Sequence, residues 1–139
     1  MSRPLKTVQA AGAIALGALS ALHALWASGS AWPAPDRTAL ADAVGGFSQF
    51  PGAPACLAVA TLLGVAAVCV AGLPPPLELV GRYGAAGTSL ALAARGGAGL
   101  AGAMPQARRS HTFARLDRRV YSPLCLALAL AAAAGSIPQ

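Results

Sequence analysis

The chain has 139 residues, 56% hydrophobic and only 10% charged, with a mean hydropathy of +0.61. A soluble domain carries about a quarter charged residues to cover its surface, so a soluble enzyme domain, a disulfide-rich secreted module and a disordered tail all fit poorly, and an integral membrane protein fits. The net charge of +6 is concentrated: half of the ten Lys and Arg (Arg108, Arg109, Arg115, Arg118 and Arg119) stand directly before an apolar run. That placement points to anionic lipid headgroups rather than nucleic acid, since no aromatic-interleaved basic platform accompanies them.

The first apolar run extends from Val8 to Trp26. A secretory signal opens in the same way, and Ser28-Gly29-Ser30-Ala31 offers small residues for cleavage. A signal core, however, is only ~7–15 residues long. The run matches the ~20 residues that cross a ~30 Å hydrocarbon core, which favours an uncleaved span over about 8–27. From Ala27 to Pro54 the pattern breaks at Pro33, Pro35, Asp36, Arg37 and Gly45-Gly46. This stretch reads as a loop with a helical turn or two around Thr38–Val44, and Trp32, Phe47 and Phe50 suit an interface. The second span, 55–73, holds no charge, and Pro74-Pro75-Pro76 ends it because consecutive prolines supply no amide hydrogens.

A third span covers 77–95 and extends at most to about 103. Glu78 and Arg82 are one turn apart in the favourable order for an ion pair. Arg95 at the span's end can snorkel to the headgroups, at far less than the about 2.5–3.5 kcal/mol of a central arginine. Residues 108–121 form a basic interfacial segment. Within it Phe113, Leu116 and Val120 recur at i, i+3 and i+7, so Thr112–Tyr121 predicts a short amphipathic helix in the interface. Ser122-Pro123 then predicts a fresh start, with Ser122 as N-cap, Pro123 at the first helical position and a fourth span over 121–137. The expected fold is all-α: an integral membrane four-helix bundle with a short interfacial amphipathic helix before the last span. Ala13 with Gly17, and Ala60 with Gly64, permit close helix packing.

Four spans put both termini on one side. The positive-inside rule places them outside, because the first and third loops hold Arg37 and the five clustered arginines, whereas Arg3 and Lys6 ahead of the first span pull the other way. In either orientation the end of the first span, the end of the third and the start of the fourth share one membrane face. His23, Trp26, Arg95, Asp117 and Tyr121 are therefore candidates for one site.

Each candidate has two readings. His23 lies three residues before Trp26 on the same helical face, and a polar residue inside a bilayer is a functional hypothesis. It could ligate a metal or haem, relay a proton or bind a quinone headgroup; equally, it could close an interhelical hydrogen bond. Asp117, the one acid in the basic stretch, is expected ionised and paired. It either fixes the loop against the bundle or lines a small polar pocket with Arg118, Tyr121 and Ser122. Cys56, Cys69 and Cys125 are odd in number and match no zinc spacing, so buried free thiols are expected and no metal site is assigned. No nucleophile–base–orienter set, phosphate loop or dinucleotide fingerprint occurs, and no catalytic residue or cofactor follows.

His23-Ala24-Leu25-Trp26-Ala27 with Gly29 and Trp32, Arg95 closing the third span, and the block from Phe113 to Leu126 (FARLDRRVYSPLCL) together resemble the bacterial membrane family catalogued as domain of unknown function 3995. The resemblance covers nearly the whole chain. It implies four spans in the bacterial cytoplasmic membrane and marks His23, Trp26, Arg95, Phe113, Asp117, Tyr121, Ser122, Pro123 and Cys125 as positions to test. One departure stands out: family members tend to carry a Gly-Asp pair after the third-span arginine, whereas Gly96-Gly97-Ala98-Gly99 holds no acid. Arg95 must then find a carbonyl, a lipid phosphate or Asp117.

The functional expectation is a non-enzymatic membrane protein. Its polar site would hold lipid or a membrane-protein partner (a second copy included), with Arg108, Arg109, Arg115 and Arg119 on headgroups. The alternative is a transporter or redox protein that uses His23 and Asp117 for a small ligand, proton, haem or quinone.

Overall fold

A computed structural model of the chain describes residues 2–138. Among these residues six α-helices follow in order: α1 Arg3–Ala27, α2 Arg37–Gly45, α3 Ala53–Ala71, α4 Glu78–Leu100, α5 His111–Leu116 and α6 Ser122–Ser136. A 3-10 turn, Pro105–Arg108, precedes α5, and a π turn, Asp117–Tyr121, joins α5 to α6. No strand occurs among the described residues. Three helical stretches are long and apolar enough to cross a membrane: α1, α3 and the continuous 26-residue path His111–Ser136. At ~1.5 Å per residue, the 23 residues of α4 are long enough as well, but Glu78, Arg82 and Arg95 lower its hydropathy.

The long helices pair α1 with α3 and α4 with α6, and α1–α6 and α3–α4 contacts join the pairs. Leu16, Val70, Ala85, Leu128 and Ala132 are buried where they meet. Small residues set the approach. A Cβ on Gly12 would overlap that of Ala131, and one on Gly135 would lie 2.8 Å from the Val70 carbonyl oxygen. Of the two expected small-residue faces, Ala60/Gly64 does meet a neighbour, since a Cβ on Gly64 would lie 3.3 Å from Ser20 Oγ, while Gly17 has nothing within 4 Å. The close contact of α1 with α6 falls on Gly12 instead.

Side chains of α1 and α4 also reach carbonyl groups of their partners. Gln9 Nε2 donates to the Val70 carbonyl at 2.7 Å and Ser20 Oγ to that of Ala60 at 2.7 Å, both from α1 to α3. From α4 to α6, Arg82 Nε donates to the Ser136 carbonyl at 3.1 Å and Ser89 Oγ to that of Ala129 at 2.8 Å. Between helices in an apolar surrounding, such bonds average ~0.6 kcal/mol and reach ~1.7. The bond from Arg82 also corrects an expectation. No ion pair joins it to Glu78, because the carbonyls at the end of α6 are left without intrahelical donors and take the guanidinium.

The second correction concerns Ser122. It has helical backbone angles (φ −68°, ψ −46°) and its side chain caps nothing; the N-cap is Ser110, whose Oγ accepts from the Phe113 amide at 3.0 Å. The helix therefore does not restart at Ser122-Pro123 but runs through. Pro123 supplies no N–H and its ring crowds the carbonyl one turn back. The π turn absorbs both problems by widening the coil, with the Ser122 amide donating to the Asp117 carbonyl five residues earlier.

Candidate functional site

The end of α4 and the π turn build one charged cluster. Arg95 Nη2 donates to Asp117 Oδ1 at 2.6 Å. Asp117 is 1% exposed, and the Arg95 side chain 31%. Arg95 lies one and a half turns inside α4, so its guanidinium turns inward to Asp117 instead of outward as a helix-end arginine would. Of the three partners expected for Arg95 (a carbonyl, a lipid phosphate or Asp117), it is Asp117 that the guanidinium meets. Gly99 is what allows the approach: a Cβ there would overlap Ser122 Oγ and lie 2.7 Å from Asp117 Oδ2 and 2.9 Å from Arg95 Nη1. Ser122 is fully buried, and neither its Oγ nor Arg95 Nη1 has a hydrogen-bond partner among the described residues.

The π turn decides which residues meet here. Asp117 and Ser122 are five residues apart yet both abut Gly99; in an α-helix the residue four along, Tyr121, would take that place. Tyr121 is turned aside instead, packs its ring 6.2 Å from that of Phe113 and donates its hydroxyl to the Ala43 carbonyl of α2 at 2.9 Å.

Beside the ion pair opens a cleft of ≈ 350 Å³, lined by Gly99, Gly102, Arg108, Arg115, Asp117 and Arg118 among others. Gly102 has φ +68°, a left-handed conformation that glycine adopts freely, and a Cβ there would also lie 3.2 Å from an Arg118 Nη2. Arg109 and Arg119 lie outside this lining. All five arginines are exposed, and none has a carboxylate within 4.0 Å among the described residues.

His23 and Trp26 belong to a second cluster. Their rings meet edge-on at 4.8 Å, and His23 Nδ1 lies 2.8 Å from the Leu19 carbonyl oxygen, one turn back on the same helix. Trp26 donates through Nε1 to the Trp32 carbonyl at 2.7 Å and packs with Leu40 of α2, Cys56 of α3 and Phe50. Arg37 Nη1 donates to the Trp26 carbonyl at 3.2 Å, and its guanidinium lies 4.6 Å from the Phe50 ring centre. Among the described residues no hydrogen bond or ring contact joins His23 or Trp26 to Arg95 or Asp117. α2 stands between, with Leu40 against Trp26 and Ala43 against Tyr121.

Residues 16–132 match the family described as Protein of unknown function (DUF3995). The chain belongs to this family. Within DUF3995, the matched region takes in both clusters and the basic cleft, and leaves out the first half of α1 and the last turn of α6. Searches of curated proteins and of solved structures gave no match. Gly99 and Gly102 are site residues that the spacing arguments passed over. The signal was present: four glycines within residues 96–102, directly after an arginine, mark a place where something comes close to backbone.

Proposed function

We propose that this DUF3995 protein is a non-enzymatic, four-span protein of the bacterial cytoplasmic membrane whose basic end holds anionic lipid headgroups. In this reading α4 is the third span, alongside α1, α3 and the path His111–Ser136. Each long helix turns a large aliphatic outward at mid-length, with Ile14 73%, Leu62 71%, Leu90 73% and Leu130 72% exposed. α4 thus presents the same apolar exterior as the other three, while its Arg82 and Arg95 are engaged by α6 and the π turn. The observation that carries the lipid reading is the set of five exposed arginines, unpaired with any carboxylate among the described residues, at the end where α4 finishes and the helical path to α6 begins. A basic cluster beside a membrane segment attracts anionic lipid by about 1 kcal/mol per residue.

The competing reading, a small ligand, proton, haem or quinone shared between His23 and Asp117, requires the two to face one another. Their separate clusters favour the lipid reading. Native mass spectrometry of the protein in mild zwitterionic detergent, with phosphatidylglycerol and phosphatidylcholine added in equal amounts, tests the proposal. Retention of phosphatidylglycerol in preference, lost when the five arginines are changed to Gln, is the expected result. Equal retention of the two lipids, unchanged in the variant, overturns it.

A further inference from the structure

The cleft between the end of α4 and α5 is more than a share of a basic surface. Three of the five arginines, Arg108, Arg115 and Arg118, line it together, and they come from the 3-10 turn, α5 and the π turn. Asp117 also lines it, but its charge is offset by Arg95 at 2.6 Å. Three uncompensated positive charges remain. The carboxyl end of α4, which finishes at Leu100 beside the cleft, contributes about half a negative charge at most. One arginine would satisfy that helix end; three exceed it by a wide margin.

Gly99 lines the cleft, whereas Arg95 and Ser122, which gather against Gly99, do not line it. Gly102 lines it too and brings bare backbone against the Arg118 guanidinium. A volume of ≈ 350 Å³ lies at the small end of the ~300–1,000 Å³ typical of ligand sites. It admits a headgroup phosphate with its first linking atoms.

Resting on the lipid reading above, we propose that this cleft is a binding site for a phosphomonoester dianion, discriminating it from the phosphodiester of ordinary anionic lipids. A phosphomonoester offers three terminal oxygens and carries between one and two charges near neutral pH, because its second pKa is about 6. A phosphodiester offers two free oxygens and one charge. Guanidinium groups bind such oxygens through paired N–H donors, so three arginines around one cavity match the three oxygens of the monoester. Arg109 and Arg119, outside the lining, add attraction without selecting a headgroup.

The test is native mass spectrometry of the full chain in mild zwitterionic detergent, with equal phosphatidic acid and phosphatidylglycerol added at pH 7.5. One extra charge-assisted hydrogen bond contributes about 1.5 kcal/mol, so phosphatidic acid should be retained with about tenfold preference. Arg115→Gln/Arg118→Gln should abolish the preference. Arg109→Gln/Arg119→Gln removes the same charge outside the cleft; it should lower retention of both lipids alike and keep the preference. Inorganic phosphate added in millimolar excess separates the sources. If it displaces phosphatidic acid, the site takes the free anion as well; if it does not, the site takes the lipid alone. Equal retention of both lipids, or a preference that survives loss of Arg115 and Arg118, overturns the inference and leaves the general lipid reading standing. Retention of neither overturns both.

Discussion

Arg95 and Asp117 lie 22 residues apart in the chain and meet at 2.6 Å, a guanidinium from the last third of α4 donating to a carboxylate that the π turn has carried out of solvent. The contact ties α4 to the start of the α6 path at the level where Gly99 lets the two backbones come together.

Breaking this pair from its two sides should have unequal effects. Arg95→Met strands a buried carboxylate without countercharge, whereas Asp117→Asn leaves a guanidinium that is already 31% exposed and can swing outward on its flexible stem. Arg95→Met is expected to destabilise the protein by about 2–4 kcal/mol, below the top of the range for a broken buried pair, and Asp117→Asn by about half as much. The double change Arg95→Met/Asp117→Leu should recover most of the loss, because an apolar pair of similar volume needs no countercharge. Thermal unfolding in detergent checks the order. Equal losses in the single variants with no recovery in the double would show that the ion pair is not what joins the two elements.

Two glycines of one helical turn should respond oppositely to alanine. Gly97 is exposed with nothing within 4 Å of a Cβ, so Gly97→Ala should raise stability by about 0.5–1 kcal/mol through helix propensity. Gly99→Ala places a methyl group onto Ser122 Oγ and should cost about 1–3 kcal/mol by overpacking. The same unfolding assay reads both, and a stabilising Gly99→Ala would show that the close approach does not exist.

The serines at the two ends of the α5–π segment make a third paired test. Ser110 caps α5 through a 3.0 Å bond, so Ser110→Ala should cost about 1 kcal/mol. Ser122 Oγ bonds to no described residue, so Ser122→Ala should be neutral or slightly stabilising in unfolding. A loss at Ser122 equal to that at Ser110 would restore the view of Ser122 as a helix N-cap.

The helical character of the chain was legible in its composition and in the length of its apolar runs, and the membrane-crossing length of α1 and α3 follows from the same count. The continuity of the last helix was hidden. Ser-Pro is the chemistry of a helix start, and nothing in the spacing of Phe113, Leu116, Val120 and Leu124 marks the π turn that carries the helix through. The Arg95–Asp117 contact was half visible: a partner had to be found for Arg95, and Asp117 was one of three options, beside a carbonyl and a lipid phosphate. The separation of His23 and Trp26 from that pair was not visible, since it depends on where α2 sits, and nothing in the spacing of residues 37–45 fixes its packing against both Trp26 and Tyr121.

The direction of the polar bonds between long helices divides the molecule at Pro74-Pro75-Pro76 into two helical hairpins. In each, donors on the first long helix reach carbonyls on the second: Gln9 and Ser20 in one, Arg82 and Ser89 in the other. Across the divide, among the described residues, a single side-chain hydrogen bond passes, from Tyr121 to the Ala43 carbonyl. The rest of that seam is fit alone, Gly12 against Ala131 and Gly135 against Val70. Apolar surface gains little by exchanging lipid for another apolar face, and dispersion contacts fade within an ångström of separation. Each hairpin is thus fastened within itself, and the two are held to one another by shape, with one hydroxyl as the latch.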